Sequence, residues 1–224
     1  MKTLFLHAKS NVDIKPVLRK LNFKGKLGII TSIQFLGQLE EFFEKNMDEK
    51  NKEGKFVFGG QILGCNVNNA LKIKDKVDGF LFIGSGDFHP LQAVYKMGKL
   101  VYVANPYTNN IKLLDRKEFD NYEKRKKSIL SRFLMAKKIG ILVSVKPGQF
   151  HPKEYLGLRE KIELAEKIRK KIKDKESYIF IGDNFNLDEL ENFKDIEMWV
   201  NTACPRIEGK NLINMEEVFR LYEK

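Results

Sequence analysis

The chain is 224 residues long, 42% hydrophobic and 32% charged, with a formal net charge of +11, a composition that excludes a disordered or fibrous chain and predicts a soluble globular one. Its longest apolar runs, 80–83 and 139–145, fall well short of the ~20 residues a membrane span needs, and the apolar stretch after Met1-Lys2 is too short for a secretory signal. A cytoplasmic protein with no membrane partner is expected. The surplus of Lys and Arg invites nucleic acid as a partner. In stretches such as 161–175, however, it is interleaved with Glu and Asp, and no strand alternates aromatic with basic residues, so direct nucleic-acid binding is disfavoured.

In chain order, short apolar runs alternate with amphipathic helical stretches. A strand is expected at 3–7, a helix at 13–21, and a strand at 26–31 leading into a helix at 34–45. Strands at 55–58 and 79–83 follow, then a turn at 87–90 that opens a helix at 91–96, with Pro90 at a favoured first-turn position. Beyond a strand at 100–103 come a long basic helix at 116–137, a strand at 138–145 and a helix at 152–173. Strands at 178–182 and 197–201 and a helix at 215–222 complete the chain. This alternation specifies an α/β fold with mainly parallel sheets. Strands that are apolar throughout specify sheets flanked by helices on both faces.

The strand motif is repeated. Lys26-Leu27-Gly28-Ile29-Ile30-Thr31-Ser32-Ile33 is similar to Lys138-Ile139-Gly140-Ile141-Leu142-Val143-Ser144-Val145, half the chain further on. Each copy precedes a long helix and is followed later by one of the two cysteines. Two similar small domains are expected, 1–114 carrying Cys65 and 115–224 carrying Cys204.

Cysteines of a cytoplasmic chain rarely form structural disulfides; they are either buried and inert or functional. Cys65 follows Gly59-Gly60-Gln61-Ile62-Leu63-Gly64, and Cys204 follows Trp199-Val200-Asn201-Thr202-Ala203, each beyond a strand. Ligands of open α/β sheets bind at the carboxyl ends of strands, and thiolates there suit a soft metal or an iron–sulfur cluster. Glycines beside Cys65 let the backbone approach a bulky ligand. No C-x-x-C pair is present, so inert packing and metal ligation both stay open on spacing alone.

Three further loops are candidates. The amides of Gly84-Ser85-Gly86-Asp87-Phe88-His89-Pro90 offer a seat for a carboxylate or phosphate, without the spacing of a dinucleotide fingerprint. Lys146-Pro147-Gly148-Gln149-Phe150-His151 offers a cation and a side-chain amide, and Gly182-Asp183-Asn184 an acceptor for a ribose hydroxyl. Taken singly, each reads more simply as an ordinary strand-to-helix turn. His89 is open to three roles, ligand, general acid or turn residue, the last being simplest. His7 is expected to be packed in its strand, and His151 to mark a loop. Glu40-Glu41 and Glu216-Glu217 lie on charged helices and read as solvated faces.

Taken together, Gly60–Asn66, Leu81–Leu91, Asn105-Pro106-Tyr107, Val143–Gln149 and Ala203-Cys204-Pro205-Arg206 resemble, in order, the archaeal 2-(3-amino-3-carboxypropyl)histidine synthase family, which begins diphthamide synthesis. The resemblance implies three similar α/β domains, each giving one cysteine to a [4Fe–4S] cluster whose fourth iron is left for S-adenosylmethionine. It implies a transferase that releases a 3-amino-3-carboxypropyl radical and adds that group to a histidine of elongation factor 2. On the same resemblance Cys65 and Cys204 are cluster ligands. Gln149, with Lys146 and Gly148 of its loop, contacts the amino-acid part of S-adenosylmethionine, and Arg206 pairs with its carboxylate. Gly84, Ser85, Gly86 and His89 line the site.

The matching stretches begin within the family's second unit, so the first domain and its cysteine have no counterpart and the cluster is one thiolate short. A subunit completed by another chain is expected, as a homodimer or as a heteromer with a family member, because an uncovered domain face exposes apolar surface. Two other functions fit the same sequence: a non-catalytic accessory partner of a full-length relative, and a paralogue that modifies another substrate.

Overall fold

Two sheets, each built around one copy of the repeated strand, organise the chain. The computed structural model describes residues 6–50, 56–64, 66–114, 116–146 and 157–222, and it divides into two compact units, Met1–Tyr122 and Glu123–Lys224. Among the described residues no helix is long and apolar enough to cross a membrane.

In the first unit, β1 (Leu27–Thr31), β2 (Phe56–Gln61), β3 (Gly79–Ile83), β4 (Val101–Asn105) and β5 (Asn110–Leu113) form one sheet in the order β2-β1-β3-β4-β5. The first four are parallel and β5 is antiparallel to β4. Every residue of β1 and β3 is buried, because helices cover both faces. Ile29, Leu81 and Ile83 meet Ile14, which precedes α1 (Lys15–Arg19), Val17 within it, and Phe35 and Leu39 of α2 (Ile33–Lys50). Phe80, Phe82 and Val103 meet Ala70 of α3 (Asn68–Leu71) and Ala93 and Met97 of α4 (Phe88–Met97).

Helix α5 (Arg116–Met135) leads to the second sheet, in which β6 (Lys138–Ser144), β7 (Glu176–Gly182), β8 (Met198–Asn201) and β9 (Leu212–Asn214) are all parallel, in the order β7-β6-β8-β9. One face buries Ile139, Ile141, Val143 and Val200 against Ala165 and Ile168 of α6 (Leu158–Lys171) and Val218 of α8 (Met215–Tyr222). The other face is thinner. Leu142, Trp199 and Leu212 pack there beside Phe180 of β7 and against Phe185 and Leu187, the last from the single turn α7 (Leu187–Leu190).

The repeat therefore extends beyond one strand: β2-β1-β3-β4 and β7-β6-β8-β9 have the same order. Its shared glycine has the same cause in both copies. Gly28 is paired with Phe80 and Gly140 with Trp199, and a Cβ would lie 2.6 Å from the Phe80 ring in one case and 2.3 Å from the Trp199 ring in the other. The two cysteine-bearing segments are not equivalent within the repeat, since Cys204 follows β8, the counterpart of β3, whereas Gly64 and Asn66 follow β2.

Several expectations need correction. The strand at 3–7 lies largely outside the described residues, and Leu6 and His7 are exposed and outside any strand, so His7 is not a packed core residue. The helix at 13–21 contracts to little more than one turn, Lys15–Arg19, with Pro16 near its start. Strands β5 and β9 were not anticipated. The first is short and mostly exposed, and it returns from β4 through a turn in which Asn105 Oδ1 accepts from the Tyr107 and Thr108 amides. The second has only three residues, too few to show a period.

Candidate functional site

Because β1, β2, β3 and β4 run parallel, the loops after them gather at one edge of the first sheet. Ile62 N–H donates to Thr31 O (2.9 Å), and Leu63 and Asn66 exchange two backbone hydrogen bonds (2.9 and 3.0 Å), so the chain doubles back between them. Cys65, between those two residues, lies outside the described residues. The space beside Gly64 belongs to Phe88: a Cβ there would stand 2.1 Å from its ring. Two sequence motifs, the one ending at Gly64 and the one containing Phe88, are thereby packed together. Gly86 has φ +76° with nothing near its missing side chain. Ser85 and Gly86 are exposed, whereas Gly84 is buried under Phe82 and Ser32. Asp87 precedes α4 without capping it, and instead binds Lys112 of β5 at 2.8 Å. That bond is the main reason the Lys112 pKa rises above the ordinary lysine value. His89 is not a turn residue. It lies in the first turn of α4, half-buried, its ring against Phe82 and Phe88 at 6.1 and 5.5 Å.

At the carboxyl edge of the second sheet, three loops leave the adjacent strands β7, β6 and β8. The one after β6 is held by Ser144, whose Oγ donates to Asp183 O (3.0 Å) and accepts from Lys146 N–H (3.2 Å). Lys146 itself is exposed, and its Nζ donates to Asn184 Oδ1 (3.1 Å). Gly148 and Gln149 lie outside the described residues, as does His151. Lys161 of α6, only 4% exposed, reaches under this loop and donates from Nζ to the carbonyls of Ser144 (2.9 Å) and Lys146 (3.1 Å). Burial lowers its pKa. Lys161 lies in the charged stretch 161–175, yet it is a buried anchor of the loop that follows the repeat strand.

The loop after β8 carries Cys204, a free, half-buried thiol. Its carbonyl accepts from Asn201 Nδ2 and from Ile207 N–H, both at 2.9 Å. Thr202 ties the loop to the neighbouring strand through Oγ1 to Leu142 O (2.7 Å). Further on, Glu208 pairs with Arg125 (3.0 Å) and Lys210 O accepts from Arg132 (3.1 Å), both arginines on α5. Arg206, two residues past Cys204, is exposed. Glu217 is not on a solvated face: its side chain is 17% exposed and meets Lys126 at 2.8 Å.

Comparison with known proteins matches the family model described as "Putative diphthamide synthesis protein" to residues 1–212. The chain belongs to the diphthamide synthesis family. The 2-(3-amino-3-carboxypropyl)histidine synthase of Pyrococcus horikoshii is 31% identical over 218 residues, covering 92% of this chain and 59% of that protein. The enzyme of the same name from Methanocaldococcus jannaschii is 30% identical, with 92% and 56% covered. A crystal structure of Dph2 from Pyrococcus horikoshii with a 4Fe-4S cluster superposes with a TM-score of 0.70 at 29% identity, over 96% of this chain and 64% of that one. The chain thus spans about three fifths of the length of these relatives.

Such a cluster takes thiolate ligands. Cys204 fits one ligand position: it is a free thiol at the carboxyl end of a strand, on a loop held by side-chain and backbone hydrogen bonds, and a thiolate is the ligand iron–sulfur centres use. Among the described residues no group of three or more His, Cys, Asp or Glu side chains forms a site of its own. Membership of the diphthamide synthesis family was legible in the motifs. Lys161 and Asn201 were not singled out, since nothing in a one-dimensional reading distinguishes a lysine or asparagine that bonds backbone carbonyls from a solvated one.

Proposed function

We propose that this chain supplies Cys65 and Cys204 to a [4Fe–4S] centre that, with S-adenosylmethionine, transfers a 3-amino-3-carboxypropyl group to a histidine of elongation factor 2 in the cytoplasm. A third thiolate comes from outside these 224 residues, and a further family member is one source of it. One observation carries the reading: within the second unit, the Cys204 loop and the Lys146 loop leave the adjacent parallel strands β8 and β6 at the same sheet edge, where α/β sheets bind ligands. When bound, the cluster supplies the electron that breaks a carbon–sulfur bond of S-adenosylmethionine.

The chain's own residues hold and orient. Gln149, with Lys146 and Gly148, takes the amino-acid part of S-adenosylmethionine, and Arg206 offers its carboxylate a planar fork of donors. Gly84, Ser85, Gly86 and His89 are assigned to substrate or cofactor contact. Anaerobic reconstitution with iron(II) and sulfide, in the presence of a family partner, tests the ligands. Uptake should require both cysteines, and no uptake by the wild type rules out the cluster. Mass spectrometry of elongation factor 2 from a deletion strain tests the substrate, for which an unmodified histidine is expected and a modified one is decisive against.

A further inference from the structure

We infer that Asn201 is the positioning residue that holds the Cys204 loop in its ligand-presenting conformation, an inference that rests on the proposed role of Cys204 as a cluster ligand. Asn201 is the last residue of β8 and is 1% exposed. Its Oδ1 accepts from Ala203 N–H, while Nδ2 donates to Cys204 O and to Asn214 Oδ1, each at 2.9 Å. The orientation of the amide follows from its neighbours, since a backbone N–H needs an acceptor and a carbonyl needs a donor. One buried side chain thus bonds both ends of the Ala203–Cys204 dipeptide. Asn214 at the end of β9, the register partner of Asn201, holds the amide plane in turn.

Among the described residues Asn201 is the side chain that bonds the Cys204 backbone; Thr202 fixes only the loop's entrance, to Leu142 O, and the α5 arginines only its exit, at Glu208 and Lys210. The arrangement sets the backbone of Cys204 before any metal arrives. A ligand that needs no ordering binds more tightly for that reason, and the partners that orient a metal ligand commonly change metal affinity by about 10–100-fold when removed.

The test uses the whole chain. In Asn201→Ala the Ala203 and Ile207 amides should exchange hydrogen faster than in the wild type, and Cys204 should react with iodoacetamide about 10-fold faster. In Asn201→Asp an oxygen replaces the donor and faces two acceptors, so the same changes are expected despite equal size. Iron(II) and sulfide retained at Cys204, with the family partner present, should fall by about 10–100-fold. Ile213→Val, a deletion in the core of β9, serves as the control for general destabilisation and should leave Cys204 alkylation unchanged.

Should Asn201→Ala fail to fold, Asn214→Ala decides, because it frees the amide plane and leaves the other two bonds in place; faster alkylation is expected there as well. Unchanged amide exchange and alkylation in folded variants overturn the inference. If the wild type takes up no iron while alkylation responds as expected, the cluster reading fails and the role of Asn201 in ordering the loop stands.

Discussion

Gly140→Ala is a sharp test of how the second sheet is packed. A Cβ at this position would lie 2.3 Å from two carbons of the Trp199 ring and 3.1 Å from a third. Carbon atoms in contact sit about 3.5–4.0 Å apart, so the ring has to retreat by more than ~1 Å. That retreat is resisted, because Phe180 and Phe193 flank the ring at 4.8 and 5.9 Å and stand 4.9 Å from each other. Overpacking of this kind costs about 1–3 kcal/mol, against a gain of about 0.4–1 kcal/mol from the stiffer unfolded chain. The clash wins, and a net loss of about 1–2 kcal/mol is expected. Trp199 is the chain's single tryptophan, so urea unfolding followed by its emission reports this contact directly. Gly37→Ala in α2 is the matched control: nothing lies within 4 Å of its added carbon, and helix propensity should stabilise by roughly 0.5–1 kcal/mol, read by circular dichroism. A Gly140→Ala protein with the wild-type midpoint and emission would falsify the packing argument.

Gly64→Ala should disturb the turn before Cys65, because its Cβ meets Phe88 at 2.1 Å. Phe88 is only half-buried and can yield, so the expected cost is about 1 kcal/mol, with faster exchange of the Asn66 amide as the local sign; unaltered exchange counts against it. Lys161 has a pKa below the ordinary lysine value of 10.5 because it is buried. Between its folded pKa and 10.5 the unfolded chain binds more protons. The wild type should therefore gain stability relative to Lys161→Met as pH rises through that window, and a flat difference contradicts the assignment. Glu217→Gln leaves the ammonium of Lys126, only 10% exposed, with a weaker acceptor. A loss of about 1–3 kcal/mol in urea midpoint experiments is expected, and no loss would show the pair to be solvent-screened.

The legible part of the fold was the part written in local pattern. Apolar runs at 26–31, 79–83 and 138–145 became central strands within a residue at either end, since being covered on both faces removes polar residues from a strand. The amphipathic segment at 215–222 is α8 to the residue. β5 and β9 escaped because their residues join through pairing with β4 and β8 and carry little pattern of their own. In the site, the ordered motifs around Gly64, His89, Lys146 and Cys204 were visible in one dimension. What those residues touch was not.

The sequence by itself determined the α/β class, the repeated strand and the family, because hydrophobic period and motif order are properties of neighbours along the chain. Tertiary structure alone decided why Gly28 and Gly140 are glycines, which lysine is buried, and what holds Cys204. The physical reason is separation. Lys161 bonds a carbonyl 17 residues away, Thr202 one 60 residues away, and Asn201 a side chain 13 residues away. The packing of α6 on β6 and the parallel pairing of β6, β8 and β9 bring such partners within hydrogen-bonding distance.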